Sequence, residues 1–92
     1  MYIILVYDIV MDEQGAKVQR KVFKECKKYL VHIQNSVFEG EISQSQIFKL
    51  ETTLKKIIRR EIDSLIVFKT RNEKWLDKEF WGKEDNATSN IL

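Results

Sequence analysis

Asp8 is the residue whose position most needs a chemical explanation. It closes the strand-forming run MYIILVY. A carboxylate at the end of a buried strand is costly unless it is paired, bound to a cation or just reaching solvent. The chemistry open to it is that of hard cations. Mg²⁺ prefers carboxylate and water oxygens, often takes only one or two protein carboxylates, and leaves positions for phosphate. Such an ion polarises a phosphodiester or lowers the pKa of a bound water. One Asp per chain makes a poor site, but a two-fold axis could bring two Asp8 side chains together. Asp12 and Glu13, in the loop that follows, are auxiliary candidates. The alternative is an ordinary strand-end Asp that hydrogen-bonds the next loop.

Other chemistries are limited by residue counts. The 92-residue chain has one Cys and one His. Cys26 cannot form an internal disulfide, and with His32 as the only imidazole no structural zinc site can be built from one chain. A Ser-His-Asp arrangement would have to use His32, and no nucleophile-elbow sequence accompanies it. The first ten residues lack the basic leader and small-residue cleavage site of a signal peptide. No stretch approaches the roughly 18–20 apolar residues that span a bilayer. The expectation is a cytoplasmic protein without a membrane partner, in a compartment that suits an unpaired thiol.

The elements that must position Asp8 follow from periodicity. Residues 2–10 are dense in Ile, Val, Leu and Tyr without helical spacing and read as a strand buried on both faces. From residue 16 to about 31, Val18, Val22, Cys26, Tyr29 and Leu30 fall on one helical stripe. Cys26 reads as a small core residue. Two short extended runs, 31–34 and 37–42, flank Asn35-Ser36 and suggest a hairpin or one kinked strand. The Ser43-Gln44-Ser45-Gln46 run has the capping-box pattern. Ile47, Leu50, Leu54, Ile57 and Ile58 mark a second amphipathic helix, ending near residue 60. Residues 62–70 read as another strand apolar on both faces. The order is β-α-β-β-α-β, that of an α+β ferredoxin-like sandwich. We divide the chain into a 1–70 domain and a 71–92 tail, an extra C-terminal strand or extension whose Trp75, Leu76, Phe80 and Trp81 dock on something. A sheet with helices on one face only would leave a large apolar patch in water. A homodimer packed sheet to sheet covers it, with the tail closing on the partner subunit.

The net charge of +2 hides a segregation. Residues 11–31 carry six Lys/Arg against three Asp/Glu and residues 42–60 five against one, a sum of +7 beside −5 for the rest. The two helices therefore present a basic field. Lys17, Arg20, Lys24, Lys55, Lys56, Arg59 and Arg60 are candidate contacts to a nucleic-acid backbone, and His32 could contact phosphate or act as a general acid, a surface or hairpin-edge role being the alternative. The alternative is a solvated Lys-rich surface. Ser36 and Phe38 read as turn and sheet residues, with a base stack the alternative for Phe38.

In order and spacing these segments resemble the CRISPR-associated protein family Cas-two, the small dimeric partner of the spacer-acquisition integrase Cas-one. The resemblance rests on Tyr7-Asp8-Ile9 at the end of the first strand and Lys21-Val22 in a basic helix. It rests also on Ile33-Gln34-Asn35-Ser36-Val37-Phe38-Glu39, close to the family's Val-Gln-x-Ser-Val-Phe-Glu signature, on Asp63-Ser64, and on the ending Ser89-Asn90-Ile91-Leu92. It implies a ferredoxin-like homodimer whose tail crosses to the partner, binding of duplex DNA in a complex with Cas-one, and in some members a metal-dependent nuclease activity on RNA or DNA. Asp8 carries over as the Mg²⁺ ligand and catalytic residue, and Gln34, Ser36 and Phe38 as signature positions. Two positions depart from the pattern. His32 stands where many members have Arg, and Val18 stands where Arg often precedes Lys21 by three residues. A hydrolytic site without fixed Arg donors loses transition-state charge stabilisation, whereas a backbone-binding surface accepts Lys. A non-catalytic DNA scaffold and a toxin-like ribonuclease of the same fold are the alternative functions.

Overall fold

A computed structural model describes residues 1–83. The elements are β1 (Tyr2–Asp8), α1 (Gly15–Lys27), β2 (Val31–Gln34), β3 (Val37–Glu41), α2 (Gln44–Ile57) and β4 (Ser64–Thr70), followed by a short 3₁₀ turn at Glu73–Trp75. The sheet order is β2-β3-β1-β4, with every neighbouring pair antiparallel. This is the expected ferredoxin-like arrangement, and it makes β1 a central strand and β4 an edge.

Alternation along β1 sorts its side chains between two faces. Ile3, Leu5 and Tyr7 point to the helices and join Val22, Cys26, Phe38, Leu50 and Leu54 in the core. Burial pushes the Cys26 thiol up to about 12, consistent with a packing role. The opposite face carries Tyr2, Ile4, Val6 and Asp8. There β1 pairs Ile4 with Phe68 and Val6 with Ile66, and both β4 residues are exposed.

The helices begin and end for local reasons. The Ser43 hydroxyl accepts from Gln46 N at 3.2 Å and the Gln46 side chain accepts from Ser43 N at 3.1 Å, completing the expected capping box. Gly15 opens α1 against the β1 exit: a Cβ there would lie 2.2 Å from the Val10 carbonyl oxygen. α1 stops four residues short of the expected end. Lys28 N–H bonds to Glu25 O and Tyr29 N–H to Cys26 O, tightening the last turn before Val31 pairs with Glu39. α2 likewise ends at Ile57 rather than near residue 60. The middle runs form a hairpin. Asn35 has φ 39°, a left-handed turn conformation that Asn tolerates, and a bulge between His32 and Gln34 sets Gln34 opposite Val37.

β4 is apolar on both faces, as expected, and one of those faces is uncovered in the protomer. As an edge strand it leaves Ile66 49% and Phe68 58% exposed. The described part of the tail crosses the open face: Leu76 lies by Tyr2, Ile4 and Phe68 of β1 and β4, and residues 78–83 reach the β2–β3 half. Lys78 pairs with Glu39, and residues 78–83 line an open pocket of about 550 Å³ with Ile4, Ile33 and Val37. The family-like ending at 89–92 lies outside the described residues.

Candidate functional site

Asp8 is the last residue of β1 and is exposed, on the open face of the sheet. Its register partner is Ser64, the first residue of β4. Tyr7 points the other way, stacked on Phe38 with ring centroids 6.2 Å apart, and burial raises its phenol pKa. Tyr7 is therefore a core residue.

The backbone on either side of Asp8 is held. Tyr7 N–H donates to Ser36 O at 3.1 Å, which gives the Ser36 turn a direct part in fixing β1. Beyond Asp8 the β-ladder ends, and the side chain of Asp63 takes over: Val10 N–H donates to Asp63 Oδ1 at 3.0 Å. Asp63 Oδ2 accepts from Arg59 N and from Arg59 Nε, each at 2.9 Å. Arg59 Nη2 donates to Asp63 Oδ1 at 3.0 Å and to Val10 O at 2.7 Å, and Nη1 pairs with Asp12. The Asp63 side chain is fully buried, and chiefly the Arg59 hydrogen bonds hold its pKa at about 2. Arg59 likewise lowers the Asp12 pKa. Asp12 thus faces Arg59 as well as the loop in which it sits.

The remaining sequence candidates fall into three places. Lys17, Arg20 and Lys24 are exposed on α1, Lys55 and Lys56 on α2, and Arg60 in the connection after it. Lys55 also pairs with Glu51 at 2.6 Å. The α1 and α2 cations belong to the helix layer, on the side of the sheet away from the Asp8 side chain, whereas Arg60 sits in the connection that leads to β4. Arg59 is set apart from them by its bonds to Asp63, Asp12 and Val10. His32 is half-buried in an aromatic cluster, 4.9 Å from the ring centroids of both Phe23 and Phe38. Its Nε2 lies 2.7 Å from Asn35 O, and since a carbonyl only accepts, Nε2 carries the proton. Phe38 is fully buried, and Gln34 is exposed at the end of β2.

Sequence reasoning missed the pairing of Arg59 with Asp63. The available signal was Asp63 itself, an acidic residue preceding an apolar strand as Asp8 ends one.

The donors suit a hard cation only in part. Among the described residues no group of three or more His, Cys, Asp and Glu gathers. Asp8 is an exposed carboxylate at the β1 exit, compatible with Mg²⁺ that retains waters and takes a further carboxylate from elsewhere.

A four-stranded antiparallel sheet with two helices on one face, and a carboxylate at the exit of its central strand, places the protein among ferredoxin-like α+β sandwiches. Within that class, the chain belongs to the CRISPR associated protein Cas2 family, whose model matches residues 1–78. A protein of Fusobacterium nucleatum named CRISPR-associated endoribonuclease Cas2 is 51% identical over 92 residues, spanning 100% of this chain and 87% of that protein. A namesake from Methanosarcina acetivorans is 35% identical over 100% of both chains. The crystal structure of Streptococcus pyogenes Cas2 at pH 6.5 matches with a TM-score of 0.75 at 27% identity, covering 87% of this chain and 99% of that one. A crystal structure described as cas2 matches with a TM-score of 0.78 at 36% identity, covering 91% and 88%. Among the described residues no helix is long and apolar enough to cross a membrane.

Proposed function

We propose that this protein is a homodimeric, Mg²⁺-dependent endoribonuclease of CRISPR defence, with the two Asp8 carboxylates meeting across the dimer axis. The carrying observation is that Asp8 shares the open sheet face with the exposed Ile66 and Phe68. Packing two such faces together removes apolar surface from water and brings the two strand ends toward each other. The relatives named endoribonucleases support the substrate class. Asp8 holds a hard cation through a carboxylate oxygen, and its placement at a strand end keeps it open to a phosphodiester. Mg²⁺, when bound, supplies neutralisation of phosphate charge and a water of lowered pKa.

A second reading is favoured by one observation: the exposed cations of α1 and α2 lie on the layer opposite Asp8. This suits a DNA scaffold acting with a Cas-one integrase in spacer acquisition, the helices meeting the phosphate backbone independently of the carboxylate. Parallel assays on wild type and Asp8→Ala separate the two. We expect RNA cleavage to require Mg²⁺ and to disappear in Asp8→Ala, while duplex DNA binding and integration with Cas-one persist. Undiminished cleavage by Asp8→Ala overturns the nuclease reading, and loss of DNA binding by that variant overturns the separation of the two surfaces.

A further inference from the structure

Asp8 combines an exposed side chain with a backbone held on both sides, and most of the restraint after it comes from two residues of the α2–β4 connection. Val10 is bound at both of its peptide groups: its N–H by Asp63 and its carbonyl by Arg59. The same guanidinium reaches Asp12. Arg59 thus ties three points, Val10, Asp12 and Asp63, with one rigid fork. Such geometry is open to Arg and not to Lys. On the far side of the loop Gly15 approaches Val10 so closely that a Cβ would overlap its carbonyl oxygen.

The placement of Asp63 explains why a carboxylate is used there. Ser64, the first residue of β4, forms the end rung of the ladder with β1, opposite Asp8. One residue beyond that rung the Asp63 side chain substitutes for a strand partner, accepting the Val10 N–H. The buried carboxylate is compensated by Arg59, whose backbone N–H and side chain both donate to it. An apolar strand-end residue would leave Val10 N–H and the Arg59 guanidinium without this acceptor.

We infer that Arg59 and Asp63 are positioning residues for Asp8, fixing the β1 exit so that the exposed carboxylate meets cation and phosphate in one geometry. This rests on the reading of Asp8 as the metal-binding carboxylate. Groups held in place by buried hydrogen bonds lose catalytic power when displaced by as little as about 1 Å, by roughly 100-fold.

The test uses the full-length dimer and measures Mg²⁺-dependent RNA cleavage, Mn²⁺ binding by electron paramagnetic resonance, and thermal stability. The variants are Arg59→Gln, Arg59→Lys, Asp12→Asn and Asp8→Ala, all assayed well below their melting temperatures. For Arg59→Gln we expect kcat to fall roughly 10- to 100-fold with KM for RNA unchanged, and Mn²⁺ affinity to fall roughly tenfold. Arg59→Lys is expected to recover part of both. Should Arg59→Gln fail to fold, Asp12→Asn removes only one arm of the fork and is expected to show the same pattern at smaller amplitude. A rise in KM with kcat preserved makes Arg59 a nucleic-acid ligand and overturns the inference. Lower stability with unchanged kcat and Mn²⁺ affinity overturns it too, leaving Arg59 a fold residue. If Asp8→Ala is inactive in either case, the Asp8 reading survives. If Asp8→Ala cleaves and binds Mn²⁺ as wild type, both fall together.

Discussion

Asp8 and Asp63 bracket the end of the β1–β4 ladder in opposite environments: the Asp8 side chain is exposed, whereas that of Asp63 is wholly buried against Arg59. The division follows from what each carboxylate bonds. Asp63 accepts from the Val10 and Arg59 backbones and from the Arg59 guanidinium, so its charge is compensated inside the protein. Asp8 faces outward and is open to solvent.

The difference has a pH signature. The Asp63 pKa is depressed to about 2, below the ordinary value of about 3.9. A depressed carboxylate contributes stability that is full above the unfolded pKa and is lost as pH falls through the folded one. Wild-type stability is therefore expected to drop between about pH 4 and pH 2. Asp63→Asn should flatten that part of the profile, and at pH 7 lower the melting temperature by roughly 10 °C. Denaturant melts across this pH range, with a thermal melt at pH 7, measure both effects. An unchanged acid limb in Asp63→Asn contradicts the assignment.

Gly15 is expected to be intolerant of a side chain. The clash is with the Val10 carbonyl, which is backbone and cannot rotate aside. Gly15→Ala should destabilise the fold, although Ala is ordinarily the better helix former by about 1 kcal/mol. Thermal denaturation of this variant beside wild type reads the sign, and a raised melting temperature would contradict the steric account.

The exposed β4 residues predict the oligomer. Ile66→Glu together with Phe68→Glu places charge on the open face without touching the helix-side core. Sedimentation should show monomers where wild type gives dimers. A dimer that survives both changes would place the interface elsewhere.

The helix cations should act through salt. Reversing Lys17, Arg20 and Lys24 to Glu removes three exposed cations from α1. Duplex affinity should fall at low ionic strength, and the slope of log K against log salt should become shallower by about 0.9 for each phosphate that α1 no longer neutralises. An unaltered slope removes α1 from the DNA surface.

Much of this was legible in the sequence because it rests on local pattern. The change from the MYIILVY run to the Val18-Val22-Cys26 stripe marks the passage from β1 to α1, and Ser43 with Gln46 marks the start of α2. Asp8 stood out because it follows an uninterrupted apolar run. What was not legible depends on residues distant in the chain. Val10 and Asp63 are 53 positions apart, and only the antiparallel pairing of β1 with β4 joins them. Arg59 belongs by composition with the other cations, since a sequence displays charge but not the partner that neutralises it. His32 reads as a hairpin-edge residue or a phosphate ligand, and only the fold shows it packed against Phe23 and Phe38. β4 is apolar on both faces, yet its position at the sheet edge leaves Ile66 and Phe68 uncovered in the protomer.

The central claim is that two Asp8 carboxylates form one site. Wild type and Asp8→Ala subunits, unfolded together in equal amounts and refolded, give wild-type, mixed and variant dimers by random pairing. If one site needs both carboxylates, Mg²⁺-dependent RNA cleavage should fall to about one quarter of the all-wild-type rate, the share of dimers with two Asp8 residues. A rate of about one half, proportional to the wild-type subunits present, would show that each Asp8 works alone and contradict the paired site.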